Sequence, residues 1–226
     1  FQQSVGSMIT ERIPVTLGLV GFSSIIGIAI AIPAGVLCAV KKNTWVDRII
    51  SIITIVLVSC PVFLVCILMI LFLTQMPGVN FTGTYTNVHE YLERILPSVA
   101  LSFGMLALVS RVTRTSMIKE LKSKYVETAE AKGISKKQII FKHAFKNAII
   151  PVITVMSIQI GAMVVGSVLV ENVFALPGLG SLLINAINTS DYPIVQSVML
   201  LLVAVFLILN LIVDIIYAII DPRIRY

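Results

Sequence analysis

The chain has 226 residues, 58% of them hydrophobic and only 12% charged, with a formal net charge of +6. A soluble domain carries about a quarter charged residues, so this composition excludes an ordinary soluble fold. Three cysteines (Cys38, Cys60 and Cys66) lie within apolar runs, show no Cys/His metal spacing, and read as small packing residues.

The charged residues divide the chain into long uncharged runs. Arg12 to Lys41 encloses 28 uncharged residues, Arg48 to His89 encloses 40 and Arg94 to Arg111 encloses 16. Lys146 to Glu171 encloses 24 and Asp191 to Asp214 encloses 22. A helix needs roughly 20 apolar residues to cross the hydrocarbon core, and the 16-residue run reaches that length if Arg111 snorkels to the interface. The expectation is an all-α polytopic membrane protein with five spans.

Span one runs from about Val15 to Val40, with Gly18, Gly21, Gly27 and Gly35 available for close helix packing and Pro33 available for a kink. Span two begins near Asp47-Arg48, is interrupted at Pro61 and fades near Thr74. A turn-rich, compact outer loop follows over 75–94. Span three starts near Pro97 and continues helically past Arg111 and Arg114. Span four covers about Ala148 to Val170. Span five opens with Asp191 as N-cap and Pro193 in its first turn, and ends near Asp221-Pro222.

Of the 17 lysines and arginines, 15 fall on one side of this topology, leaving Arg12 and Arg94 on the other. The positive-inside rule places residues 41–48, 111–146 and the C-terminus in the cytoplasm. The start of the chain is then outside, with no signal peptide to carry it there. One earlier span is therefore expected to be missing from this sequence.

The 36-residue segment Arg111 to Lys146 holds 10 of the 17 lysines and arginines. Met117, Leu121, Tyr125 and Ala129 recur every fourth residue and predict a helix with one weakly apolar stripe, stopped by Gly133 as a C-terminal cap. Ser135-Lys136-Lys137-Gln138 has the form of a capping box opening a second helix toward Phe141. Such a helix–glycine–helix corner reads as a solvated basic loop near anionic lipid or as a docking element for a cytoplasmic partner. Nucleic acid is disfavoured, because aromatics are sparse in the segment. A tether to lipid needs no capped corner joined to two spans; a lever does.

The segment resembles the EAA loop of the membrane subunits of bacterial ATP-binding-cassette importers. Glu127-Thr128-Ala129, three residues and then Gly133 match Glu-Ala-Ala, three residues, glycine. YVETAEAKG and KHAFKNAIIPVIT look like the peptide/nickel branch, the dipeptide and oligopeptide permease B type. Glu171-Asn172-Val173-Phe174 followed by PGLG, Asp191-Tyr192-Pro193, Asn210 to Asp214 and Asp221 to Arg225 agree in order. Two departures stand out: Phe145-Lys146 occupies the place of the general Leu-Pro, as in the peptide/nickel branch, and the N-terminal span is lacking.

The resemblance implies a type I importer transmembrane domain over 1–226, with 111–146 as its cytoplasmic coupling segment, in a multi-pass protein of the bacterial cytoplasmic membrane. Its coupling helix, docking an ATPase subunit, would comprise Glu120, Lys124, Tyr125, Glu127, Thr128, Ala129, Glu130, Ala131, Lys132 and Gly133. An outer gate or binding-protein docking surface would comprise Glu171, Phe174, Pro177, Gly178 and Gly180. Implied partners are a second homologous permease subunit forming a heterodimer, two ATPase subunits, an extracytoplasmic substrate-binding protein and membrane lipid.

The chain has no Gly-rich phosphate loop of the GxxxxGK[ST] kind. No metal or cofactor is expected on it, ATP and Mg belonging to the ATPase subunits, and it is not expected to be an enzyme. The implied cargo is peptides, nickel or metal-chelate complexes. The rival reading is a stand-alone secondary transporter or channel with Asp214 as an ion site, which would need an inverted repeat that is not visible. A membrane enzyme is disfavoured, since His89 and His143 fall on opposite sides of the membrane.

Overall fold

The computed structural model describes residues 4–75 and 89–220, and of residues 73–74, 89–94, 214 and 216–220 the backbone alone. The loop over 76–88, the side chains of His89, Arg94 and Asp214, and the C-terminal DPRIR motif therefore lie outside the described groups. Among the described residues the chain is helical throughout, in the order α1 (Val5–Val40), α2 (Trp45–Ser59), α3 (Val62–Thr74), α4 (His89–Leu121), α5 (Lys124–Ala131) and α6 (Lys136–Gln138). A π-helical turn (Ile139–Ala144) then leads into α7 (Phe145–Val173), α8 (Leu179–Asn188) and α9 (Tyr192–Ile220).

Four of these helical stretches are long and apolar enough to cross a membrane, and α2 with α3 adds a fifth if the broken pair counts as one span. The break falls at Cys60-Pro61, where the proline has no N–H to offer the preceding turn. By contrast, α1 runs through Pro33 uninterrupted. In α9, Leu200, Val203, Leu207 and Leu211 recur at helical spacing and are exposed, while Ile194 and Val198 are buried. An apolar stripe facing outward suits hydrocarbon solvent, where the helix satisfies its own backbone groups.

The chain forms two compact units. The first contains Phe1–Gly27, Cys60–Phe103 and Ile160–Leu209; the second contains Ile28–Ser59, Gly104–Gln159 and Asn210–Tyr226. In the first, Leu179, Leu182, Leu183 and Ala186 of α8 pack with Ile194 and Val198 of α9 and with Val5, Met8, Ile9 and Ile13 of α1. In the second, Val36 and Ala39 of α1 meet Met117 of α4 and Ala144 and Ala148.

Of the α1 glycines expected at close contacts, Gly35 makes one: a Cβ there would meet the Ser110 carbonyl at 2.6 Å and the Thr113 side chain. Gly18 and Gly21 have nothing within 4 Å of that position, so helix packing does not require them to be glycine. Span five begins as expected. The Ile194 N–H donates to Asp191 Oδ1 at 3.3 Å, and Pro193 sits in the first turn.

Candidate functional site

The charged segment folds as a corner, but not as the single helix that its four-residue stripe predicts. α4 stops at Leu121, its last carbonyls taken by tightened bonds: Lys122 N–H to Lys119 O at 3.2 Å and Ser123 N–H to Glu120 O at 3.1 Å. The Ser123 hydroxyl adds a 2.6 Å bond to the same Glu120 carbonyl. Ser123 then turns extended (φ −77°, ψ 149°) and α5 begins. The break shifts the register, so that Val126 and Ala129 are buried in α5 with Ile139, Leu121 and Ile134 packed on them. Tyr125 is 37% exposed instead of lying on the apolar stripe.

Gly133 closes α5 as the sequence predicts. Its φ is +77°, a conformation in which an L side chain is strained. The Gly133 N–H donates to Glu130 O at 2.9 Å and the Ile134 N–H to Ala129 O at 3.2 Å, the pairing of a Schellman motif. Ile134 lies against Ala129 in the small core, which supplies the hydrophobic contact of that motif. The capping box after it does not form. Ser135 takes the extended N-cap conformation without a side-chain bond, and the three residues of α6 pass directly into the π turn.

The expected coupling residues divide by face. Lys124, Glu127, Thr128, Glu130, Ala131, Lys132 and Gly133 are exposed, whereas Ala129 is buried on the inner face. Glu120 on α4 accepts the Tyr125 phenol at Oε2 (2.6 Å), and Asn147 Nδ2 donates to the same phenol oxygen at 3.0 Å. Burial and the Glu120 carboxylate beside it raise the Tyr125 pKa, because both disfavour the phenolate. The corner thus offers a polar face of both charge signs on a locked apolar base.

The second expected site has a different character. Glu171 is buried at 0% exposure, and so are Gly178 and Gly180; Phe174 is half-buried and Pro177 exposed. The carboxylate therefore cannot contact an outside partner in this arrangement. Thr16 of α1 donates to Oε1 at 2.6 Å. The Gly180 and Ser181 N–H groups donate to Oε2 at 2.7 and 3.3 Å. The Leu179 N–H donates to Thr16 Oγ1 at 2.9 Å. These three amides are the orphan donors of the α8 N-terminus, where a carboxylate is favoured by both the free N–H groups and the helix dipole.

Glu171 also closes the end of α7 through its backbone. Its carbonyl accepts the Leu176 N–H at 2.8 Å, with Ala175 at φ +52°. Gly178 and Gly180 are required by proximity: a Cβ on Gly178 would run into the Glu171 carboxylate, and one on Gly180 into the Val168 backbone.

Two groups escape a reading of sequence alone. Thr16 is a lone hydroxyl inside an apolar run, and nothing local marks it as a partner of Glu171. Asp47 is the other. Its carboxylate is buried and takes Arg114 in a two-pronged bond, Nε to Oδ1 at 2.6 Å and an NH2 nitrogen to Oδ2 at 2.8 Å. The Asn43 N–H at 2.9 Å and the Ser51 hydroxyl also bond to this carboxylate, and the Cys38 side chain contacts it as well. The available signal is one acidic residue among Lys41, Lys42 and Arg48. Among the described residues no His/Cys/Asp/Glu group could hold a metal ion.

Comparison with known proteins fixes the family. Residues 31–226 match the model for the binding-protein-dependent transport system inner membrane component. The dipeptide transport system permease of Alkalihalophilus pseudofirmus is 36% identical over 93% of this chain and 71% of its own length. The glutathione transport system permease of Escherichia coli K12 is 37% identical over 100% and 72%. Solved inward-facing structures of the MetNI methionine ABC transporter superpose with TM-scores of 0.77 and 0.80. At 20% and 18% identity these cover 98% of this chain and 100% of theirs, and they establish the type I importer fold. The chain belongs to the inner-membrane permease components of binding-protein-dependent ABC transport systems, a multi-pass helical membrane protein of the peptide-permease kind.

Proposed function

We propose that this chain is the permease subunit of an ATP-driven importer, and that α5 is the helix by which a cytoplasmic ATPase subunit moves it. The carrying observation is the division of α5 into a buried base, Val126 and Ala129, and an exposed charge-mixed face, Lys124, Glu127 and Glu130, closed by the Gly133 lock. A short helix fixed on its apolar base, joined to α4 by the two-residue link Lys122-Ser123 and to α7 through α6 and the π turn, passes its displacement to both long helices. A partner that binds one of two arrangements more tightly then shifts the balance between them. ATP and Mg are held, and ATP is hydrolysed, by separate ATPase subunits, two to a transporter, with 111–146 and the C-terminus in the cytoplasm.

The remaining partners in this reading are a similar, non-identical permease subunit and an extracytoplasmic binding protein. The exposed residues beside the Glu171 turn, Asn172, Ala175 and Pro177, are the surface it offers to that binding protein or to a gate, while Glu171, Gly178 and Gly180 hold the turn in shape. The cargo class is peptides and peptide-like solutes. The dipeptide and glutathione permeases among its relatives support that class above nickel or metal chelates.

Affinity purification of the complete transporter tests the docking assignment. Glu127→Lys reverses an exposed charge, and Gly133→Pro removes both the N–H bond to Glu130 and the positive φ. Both variants are expected to insert normally and to lose ATPase subunits during purification. Full retention by both would remove α5 as the docking helix.

A further inference from the structure

Asp47 and Arg114 join α2 to α4 within the same compact unit that holds α5. Within the second unit, Leu121 belongs to two packed groups at once. It touches the α5 core of Val126, Ala129 and Ile139, and it touches the group formed by Val36 and Ala39 of α1 with Met117 of α4. α1 and α4 also meet backbone to side chain at Gly35, Ser110 and Thr113. Apolar contacts of this kind join α5, α4 and α1, but α2 is tied in differently. Its first turn is held to α4 by the Asp47–Arg114 pair, with the Asn43 N–H and the Ser51 hydroxyl gripping the same carboxylate from the preceding turn and the next one.

The chemistry of that tie matters. The Asp47 carboxylate is buried while Arg114 is partly exposed, and an ion pair of this kind adds little net stability over an apolar contact of the same volume. What it adds is register. A planar guanidinium on a carboxylate is satisfied at one height and one angle. Sliding α2 by one turn would strand a buried charge, whereas isoleucine on isoleucine would re-pack. From this we infer that Asp47 and Arg114 are positioning residues of the transport cycle, the joint that makes α2 follow α4 when α5 is displaced. The inference rests on α5 being the docked helix.

Trp45, the only tryptophan, stands two residues before Asp47 on the first turn of α2 and is 77% exposed, which makes it a built-in reporter. The experiment uses the complete transporter labelled with 5-fluorotryptophan, the Trp45 fluorine resonance being identified by its loss in Trp45→Phe. Its position is compared between the nucleotide-free complex and the complex trapped with ATP and vanadate. Wild type is expected to shift on trapping. Asp47→Leu/Arg114→Met, which exchanges the pair for apolar side chains, is expected to retain bound ATPase and vanadate trapping while most of its shift is lost. Arg114→Lys keeps the charge without the fork and decides the matter alone if the double variant does not assemble; its shift should be reduced as well.

A full shift in the assembled pair variants, or no shift in wild type, overturns the inference. Failure of the docking assignment is read separately. If Glu127→Lys and Gly133→Pro both retain their ATPase and Asp47→Leu/Arg114→Met still loses the shift, the joint stands and α5 is not the contact. If Glu127→Lys loses its ATPase while the pair variants shift fully, the docking assignment stands and the joint does not.

Discussion

The corner at Gly133 and the corner at Ala175 end their helices with the same backbone pairing, a 6→1 bond closing over a residue of positive φ. Their polar side chains are used in opposite ways. At the first, Lys124, Glu127 and Glu130 are exposed and the inner face is apolar. At the second, Glu171 is turned inward and the α8 N-terminus, Thr16 and two glycines are built around it. An acidic residue in a turn therefore has no fixed meaning. An exposed carboxylate at a rigid corner is free to meet a partner, whereas a buried one is already spent on donors that water cannot reach.

Glu171→Leu is the sharpest way to break this contrast. It leaves the Thr16 hydroxyl and the Gly180 and Ser181 amides without their acceptor, and should cost about 3–5 kcal/mol. Detergent-denaturation curves should show the loss directly, with Glu171→Gln retaining part of the network and losing less. If Glu171→Leu unfolds like wild type, the buried cap is not holding the corner. Gly178→Ala comes next, at about 1–3 kcal/mol, because the new methyl must displace the Glu171 carboxylate itself.

Gly133→Ala sharpens the comparison from the other side. Nothing lies within 4 Å of the new Cβ, so the penalty of about 1–2 kcal/mol comes from the positive φ alone. It should appear locally, as faster hydrogen exchange at the Gly133 and Ile134 amides, with global unfolding little changed. The smallest effect belongs to Tyr125. Its raised pKa means that the folded corner favours the neutral phenol. The contribution is present below the unfolded tyrosine value, about pH 10, and is lost as pH rises through the higher folded value. Difference absorbance against Tyr125→Phe should show this one tyrosine ionising later than an ordinary one.

The charge-free runs announced five crossings because the bilayer imposes a length and a polarity on any segment that spans it. Four long helices and the broken α2–α3 pair lie where those runs are. The charged corner and its glycine were legible for a similar reason: positive φ and a polar face leave local marks in sequence. The interruption at Lys122-Ser123 was not, because the burial of Val126 and Ala129 against Ile139 and Ile134 sets the register of α5 more strongly than a weak four-residue stripe. The inward turn of Glu171 was also invisible, since its partners come from Thr16 and from amides of α8.

Sequence by itself determined that this is a helical membrane protein, where its crossings fall and that a polar corner joins two of them, because those properties follow from the solvent and from local backbone chemistry. Tertiary structure alone decided which carboxylates are outward and which are sealed. Glu171 finds Thr16 across 155 positions and Asp47 finds Arg114 across 67, and at such separations only the packing of whole helices determines which polar groups meet.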